Sequence, residues 1–554
     1  MANILGFRAF WLGLCGAALI ALSACGDGSN SKSASAGASN GASGSEVVLR
    51  RGNAAEPASL DPHFSIGTWE DNIISDLIVG LTTADAAGKA IPGAATSWET
   101  SPDGKTWTFH LRDLQWSDGK PVTANDFVYA WRRILDPKTA APYASILYGF
   151  KNAQQIASGK MKPEELGARA VDDKTIELQL ENPAPYLPEL LMHTTALPVP
   201  REIVEAKGRD WTKPGSFIGN GPYTLSDWVP NDHITLVKNP KFYDAANVKV
   251  DRVIYYAIAD PDAGLKRFRA SELDTQDGIP TSQIDFVESS MKEMFHKDPF
   301  LANGWLVFNM ARKPFDDIRV REALNLAYDR ETMANKIVRI GQPPAYSILP
   351  PGIANYPGGV EFSFKDTPYP ERVKQAEQLM QQAGYGPNKR LKTTMLTGPS
   401  NDAKRIAAAV QEIWRTVYVD ADIVQLDAQV YNSNLATGNF DIAGYAWVAD
   451  YNDPRNFLFL LLSNNELNYG HYKSPEFDAL IKESDQEQDL KKRGEILAKA
   501  EGIALKDVPW IPTRFQVTLN LVQPYVKGWV TNVSDKNRSR WLSVDTQARD
   551  AVVN

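Results

Sequence analysis

Cysteine is almost missing from this chain. Its 554 residues hold two, Cys15 and Cys25, both close to the N-terminus. No disulfide framework and no thiolate metal site can be assembled from them. Histidine is sparse as well: His63, His110, His193, His233, His296 and His471 are scattered, with no His-Glu-x-x-His motif and no close pair. A histidine metal centre therefore has no basis here, and no cofactor is expected. An excess of positive charge is also absent. With 59 Lys and Arg against 67 Asp and Glu, the net charge is −8, so nucleic acid is not an expected partner. The repeated long apolar runs of a polytopic membrane protein are lacking, in line with a mean hydropathy of −0.33. No Gly-x-Ser-x-Gly and no cysteine nucleophile occur in the body, and no fixed-period repeat is visible. Gly104-Lys105-Thr106 ends like a phosphate-binding loop, but Glu99 stands where its first glycine belongs. Ser101-Pro102-Asp103-Gly104 before a strand reads instead as a hairpin turn.

What is present points to a large, soluble, multi-lobed body. The length exceeds what one core usually serves. Fourteen Trp and twenty Tyr suit both cores and ligand clefts. The first 24 residues read as an export signal: Arg8, an apolar stretch over 9–22, then Leu22-Ser23-Ala24-Cys25. The apolar stretch is short for a membrane-spanning helix. Small residues followed by Cys resemble the lipobox of bacterial lipoproteins, which implies lipidation of Cys25. Residues 25–45 are mostly Gly, Ser, Ala and Asn, the composition of a flexible tether.

Along the body, strand and helix patterns alternate, which predicts an α/β fold. Strands are expected at 46–51, 107–112, 171–180, 220–225, 234–238, 305–309, 391–396, 421–424 and 514–521. Helices are expected at 71–79, from Thr123 onward, from Asp317 to about 340, and at 371–383, 402–417 and 489–504. One stretch stands out, Phe440-Asp441-Ile442-Ala443-Gly444-Tyr445-Ala446-Trp447-Val448-Ala449-Asp450-Tyr451-Asn452-Asp453-Pro454. It opens as a buried strand and closes on a turn-forming run. Asp450, at the strand end beside Trp447, is placed to hold an ammonium group against an apolar wall. The competing reading is a turn or helix-capping role.

Several short words occur in a fixed order: Ser59-Leu60-Asp61-Pro62-His63, Trp116-Ser117-Asp118-Gly119, Asn220-Gly221-Pro222-Tyr223, Pro314-Phe315-Asp316-Asp317-Ile318-Arg319-Val320-Arg321 and Ala449-Asp450-Tyr451-Asn452-Asp453-Pro454. The set resembles the periplasmic oligopeptide-binding proteins of ABC importers, within the peptide/nickel-type solute-binding family. The resemblance implies two α/β lobes closing on a ligand, with an extra subdomain inserted in the N-terminal lobe. Lobe I would be 46–78, 201–290 and 518–554, the inserted subdomain 79–200, and lobe II 291–517. It also implies roles. Asp450 would bind a peptide's α-ammonium group, and Ala446 and Val448 would pair with its backbone. Thr68 would supply an opposing backbone contact, Tyr143 would lie near the first peptide residue, and Trp447 would line a pocket. Ile66 replaces an acid of the family pattern. Gly444 and Ala403 replace an arginine and a histidine that hold a peptide carboxylate; Lys266 or Arg514 are the candidate substitutes. The implied partners are a peptide, the permease of an ABC transporter and, through the lipid, a membrane. The implied location is the periplasm or cell envelope, with the protein a monomer and not an enzyme. Alternatives are a binder of the same fold for a cell-wall peptide, haem or a metal chelate, and a secreted hydrolase.

Overall fold

Thr106-Trp107-Thr108-Phe109-His110-Leu111 buries Trp107, Phe109 and Leu111 and leaves the residues between half-buried. That is the period-two signature of a sheet with one face on a core. The computed structural model describes residues 46–553, so Cys25 and the expected signal and tether lie outside the described residues. In chain order the strands used below are β1 Val48–Asn53, β2 Ala95–Thr100, β3 Thr106–Leu111, β4 Ala168–Asp172, β5 Thr175–Gln179, β6 Tyr223–Val229 and β7 His233–Lys238. They continue with β8 Arg252–Ala257, β9 Thr275–Asp277, β10 Phe295–Phe308, β11 Leu391–Thr397, β12 Val419–Gln425, β13 Ile442–Val448 and β14 Trp510–Val522. The helices are α1 Thr68–Leu77, α2 Ala124–Leu135, α3 Pro261–Arg269, α4 Ile318–Ala327, α5 Asn401–Arg415, α6 Ala428–Ala436 and α7 Leu490–Asp507.

Ten strands form one mixed sheet in the order β12-β11-β13-β10-β14-β9-β1-β8-β7-β6, and β2-β3-β5-β4 form a separate antiparallel sheet. At the centre of the large sheet run two long antiparallel strands, β10 of 14 residues and β14 of 13. The first half of β10 pairs with the end of β14 (Phe295 with Leu521, Pro299 with Val517). Its second half pairs with the start (Asn303 with Phe515, Val307 with Trp510), and the register shifts between Pro299 and Asn303. Pro299 has no N–H to give the ladder, so the break falls where pairing is weakest. A strand expected only over 305–309 thus begins at Phe295; Lys297, Asp298 and Pro299 hide its first half from an apolar pattern. Two further expectations change. The strand expected over 171–180 is the hairpin of β4 and β5, turned where the Asp172 carboxylate accepts from Lys174 N at 2.8 Å. The helix capped by Asp317 ends at Ala327, because Asp329 starts a new turn by accepting from Thr332 N at 3.0 Å, ahead of a π-helical stretch at Met333–Val338.

Among the described residues, buried apolar side chains gather in separate clusters. One lies within 301–511, with Trp305 and Trp510 in contact at 4.5 Å. A second unites β1, α1, β6 to β8 and residues 522–544, and a third lies within 81–196 around Trp131. A fourth seats α3 against Leu521. The short sequence words tie these cores to one another. Asp61 accepts two hydrogen bonds from Arg133 on α2 (3.0 and 2.7 Å) and one from the Trp211 indole (2.9 Å). Burial alone would raise the Asp61 pKa, but Arg133 holds it below the usual carboxylate value. Asn220 exchanges both amide bonds with the backbone of Val79 (2.8 and 3.0 Å). Gly221 lies so close to the end of α1 that a Cβ there would stand 2.5 Å from the Leu77 carbonyl carbon, so only glycine fits.

Glu501 on α7 is fully buried and accepts from Ile348 N (2.7 Å), Leu349 N (2.9 Å) and the Tyr356 hydroxyl. Burial raises its pKa to about 7 against the pull of these three bonds, with Glu361 adding to the rise. A carboxyl raised from 4.5 stabilises the fold below its unfolded value and loses that contribution as pH rises toward 7. Across that window the change amounts to about 3 kcal/mol. Glu501→Gln does not titrate. Its unfolding free energy, measured by denaturant titration, should gain about 3 kcal/mol relative to wild type between pH 4.5 and 7. A constant difference across that range would show that Glu501 is ionised throughout.

Candidate functional site

The site begins where β11 stops. β13 pairs with β10 along its whole length, from Ile442 opposite Phe308 to Val448 opposite Ala302. It pairs with β11 only at Ile442 and Ala443. From Gly444 to Val448 its other edge has no strand against it. Ala449 N donates to Leu301 O at 2.7 Å and Asn309 N to Asp441 O at 2.9 Å, so the odd-numbered residues exchange bonds with β10. The alternate residues of an antiparallel ladder turn their N–H and C=O the other way. Those of Gly444, Ala446 and Val448 therefore face the free edge. Ala446 and Val448 are exposed, while the Gly444 carbonyl already accepts from the Tyr431 hydroxyl.

Asp450 closes this edge, two residues past β13. One carboxylate oxygen accepts from the Tyr143 hydroxyl at 2.7 Å, and the other from the Asn456 amide at 3.3 Å. The Asn456 carbonyl oxygen in turn takes Asp450 N (3.1 Å) and the Trp447 indole N–H (2.8 Å). One buried amide thus fixes both the acid and its aromatic neighbour. Among the described residues no ion pair includes Asp450. The following helix is started by Asp453, which accepts from Arg455 N at 2.9 Å, so the Asp450 carboxylate caps nothing. Asp453 is held in a buried ion pair with Arg493 at 2.6 Å.

Two more groups, His193 and Lys536, interact with the acid beside Tyr143. Burial and the Asp450 charge push the Tyr143 phenol well above its ordinary pKa. His193 lies with its ring centre 5.6 Å from that of Tyr143. Burial lowers its pKa although Asp450 and Asp71 pull the other way. Burial likewise lowers Lys536, against Asp71, Glu189 and Asp450. His193, Lys536 and Asn456 carry no sequence pattern that marks them; each comes from a different part of the chain and only folding brings it to Asp450.

The structure brings together Tyr143, Trp447 and Asp450, with Ala446 and Val448 on the same strand. Thr68, at the first turn of α1, is exposed, and no hydrogen bond joins it to Asp450 or Tyr143. Its neighbour Ile66 is 68% exposed. Beside the free edge lies a cavity of about 240 Å³ whose wall includes Gly444, Ala403 and Arg514. Lys266 is exposed on α3 and takes no part in it.

The family model for bacterial extracellular solute-binding proteins, family 5 Middle, matches residues 89–469. The chain belongs to this family. Among family 5 relatives, the periplasmic oligopeptide-binding protein OppA of Escherichia coli is 38% identical over 490 residues, 87% of this chain and 89% of that one. The periplasmic murein peptide-binding protein MppA of Escherichia coli is 35% identical over 494 residues, covering 88% and 91%. The unliganded open form of MppA superposes with a TM-score of 0.80 at 35% identity, over 90% of this chain and 98% of that one. Haemophilus influenzae OppA in complex with the peptide RPPGFSPFR gives 0.77 at 36%, over 90% and 99%. The family 5 fold is two-lobed, with a further subdomain inserted in the N-terminal lobe. No helix among the described residues is long and apolar enough to cross a membrane, and among them no group of three or more His, Cys, Asp or Glu is arranged to hold a metal ion.

Asn456→Ala strands two donors, Asp450 N–H and the Trp447 indole, at a side chain only 1% exposed. Leaving buried donors without an acceptor costs about 1–3 kcal/mol. Urea unfolding should show a loss in that range, and a change under about 0.5 kcal/mol would mean water replaces the amide.

Proposed function

We propose that this protein captures short peptides in the cleft between its lobes and delivers them to the permease of an ABC importer. The observation that carries this reading is the unpaired edge of β13 running up to a carboxylate that no cation neutralises. A peptide laid along that edge adds a strand, using the backbone groups of Ala446 and Val448. Its α-ammonium group reaches Asp450, with the Tyr143 hydroxyl beside it and the Trp447 ring as an apolar wall. Thr68 would meet the peptide from the opposite lobe once the cleft closes. Backbone pairing does not read side chains, so such a binder tolerates many sequences. The names of the relatives agree: they bind oligopeptides or murein peptide and are periplasmic. The proposed division is lobe I at 46–78, 201–290 and 518–554, the inserted subdomain at 79–200, and lobe II at 291–517. The role is binding without turnover, by a monomer held at the membrane through lipid on Cys25.

Calorimetry with one peptide in free, N-acetylated and C-amidated forms tests the ammonium clamp. A buried ammonium that loses its carboxylate costs about 3–5 kcal/mol, or about a hundredfold or more in Kd. Asp450→Asn and N-acetylation should each weaken binding by about that factor, and amidation by less than about tenfold. Unchanged affinity for the acetylated peptide would remove Asp450 from the site. Recovering the peptide cleaved instead of intact would replace a binder with a hydrolase.

The anchor is tested separately. The mature chain should begin at Cys25 and partition with membranes, and Cys25→Ser should leave it soluble or unprocessed. A native N-terminus elsewhere, without lipid, would overturn the anchor while leaving the cleft untouched.

A further inference from the structure

Residues 529–541, which follow β14, run as a strap across the middle of the large sheet. Their contacts step over the strands in order. Where the register of β10 against β14 shifts, Leu301 N on β10 donates to Val533 O at 2.8 Å. Asn520 on β14 donates to Asp535 at 2.9 Å, and Arg51 on β1 to Asn537 O at 2.8 Å. Beyond that, Arg538 pairs with Asp71 on α1 at 2.9 Å, and Ser539 N donates to Asp76 on α1 at 3.1 Å. Val533 packs against the cluster within 301–511, and Trp529 against the cluster of β1, α1 and β6 to β8. The strap thus joins two cores that β10 and β14 already connect.

Asp535 sits at the middle of the strap and is half-buried. The oxygen that accepts from Asn520 also accepts from the Asn537 amide at 3.0 Å. Asn520 stands opposite Asp277 on β9 and opposite His296 on β10, and directly opposed residues share a face of the sheet. Asp298, two residues along β10, lies on that face too. The strap therefore lowers a carboxyl onto a row that already holds two others, with Arg51 as the cation among them. Like charges so placed do not all ionise at their ordinary pH. Burial and then the Asp277 charge push the Asp535 pKa up to about 7, with Asp298 adding, against the Asn520 bond and Arg51. Burial raises Asp277 as well, against Arg51 and Asn72. The backbone at Asp535 has a φ of 52°, a left-handed conformation that Asp and Asn adopt more readily than other side chains.

We propose that residues 529–541 form a proton-released strap: a neutral Asp535 keeps it docked across the sheet, and loss of that proton to solvent, beside Asp277 and Asp298, lets it lift and frees the two cores from one another. The sign follows from linkage. A carboxyl whose pKa is higher docked than free favours docking at low pH; that contribution is lost as pH rises toward about 7 and is flat above it. Three other charged groups around the strap act with the opposite sign. His296, its ring centre 6.0 Å from that of Trp529, has a pKa lowered by burial, and so has Lys536. Asp71, against its own burial, is held low by Arg538. Each of these would loosen the strap as pH falls. Asp76 is the exception: burial raises it, against Arg51, so it shares the sign of Asp535, and a variant at Asp535 alone separates the two. The inference does not depend on what the cleft binds.

Hydrogen exchange of the purified protein, corrected for the pH dependence of the exchange chemistry itself, reads the opening of the strap amides and of Leu301. From about pH 5 to pH 7 the opening constant should rise about ten- to a hundredfold and then level off. Small-angle scattering curves at the same two pH values should differ. Asp535→Asn keeps the acceptor oxygen and suits the left-handed backbone, so it should abolish both changes. Asp277→Asn, which removes the like charge, should shrink the rise. A rise that survives Asp535→Asn, or that keeps its full size in Asp277→Asn, would belong to another group and overturn the proposal. Opening that grows toward acid pH would do the same, as would opening that ignores pH. Opening without any change in scattering would mean that the strap ties nothing, and would overturn it equally.

Discussion

The pairing of β10 with β14 is the constraint on which the rest of the molecule depends. These two strands carry the sheet from the cluster around Trp305 to the cluster of β1, α1 and β6 to β8, and their register changes between Pro299 and Asn303 and again between Gly304 and Trp305. An antiparallel pair holds firmly across its width and bends along its length wherever a ladder bond is missing. The ends of each strand lie in different cores: Leu306 and Ile511 in one, Val522 in a second, and Phe295 against a third. Neither strand can slide against the other without moving buried residues to the wrong face.

The same economy governs the site. β11 stops at Thr397 while β13 runs on to Val448. That mismatch in length leaves both an unpaired backbone edge and an apolar hollow beside it. An exposed edge is normally a hazard, open to pairing with any other extended chain. In the proposed reading it lies inside a cleft, with Asp450 at one end, so that a chain using it must also satisfy the acid.

Much of this was legible in the sequence, and the limits have physical reasons. The run from Phe440 to Pro454 announced a strand ending in a turn, and Asp450 beside Trp447 stood out within it. The short words were informative about the fold because they are structural ties: Asp61 to Arg133 and Trp211, Asn220 to Val79, Asp453 to Arg493. Among the described residues Asp450 forms no ion pair and caps no backbone, unlike Asp61, Asp317 and Asp453 in the same words. The first half of β10 was hidden because it pairs with β14 on one edge and is only partly buried, so no alternation marks it. His193, Lys536 and Asn456 were hidden because each is a single residue whose meaning is a distance. The hollow was unreadable too; absent side chains at Gly444 and Ala403 signal space only when the walls around them are known.

In the proposed reading, the absence of a cation paired with Asp450 is what makes the site responsive. Had an arginine paired with it, as Arg493 pairs with Asp453, the acid would already be neutralised and an incoming ammonium group would gain little. Tyr143 and Asn456 do something different. They orient the carboxylate with hydrogen bonds, each of modest net strength, and leave its charge intact. Neither His193 nor Lys536 forms an ion pair with it, and burial holds both pKa values below their ordinary ones even though Asp450 pulls them up. A carboxylate held in place, half-buried and uncompensated, lacks only a cation with hydrogens to donate. In the proposed reading the ligand brings that cation at its own amino end. Closing the lobes over it then removes water from a pair that is complete, in place of a charge that is alone.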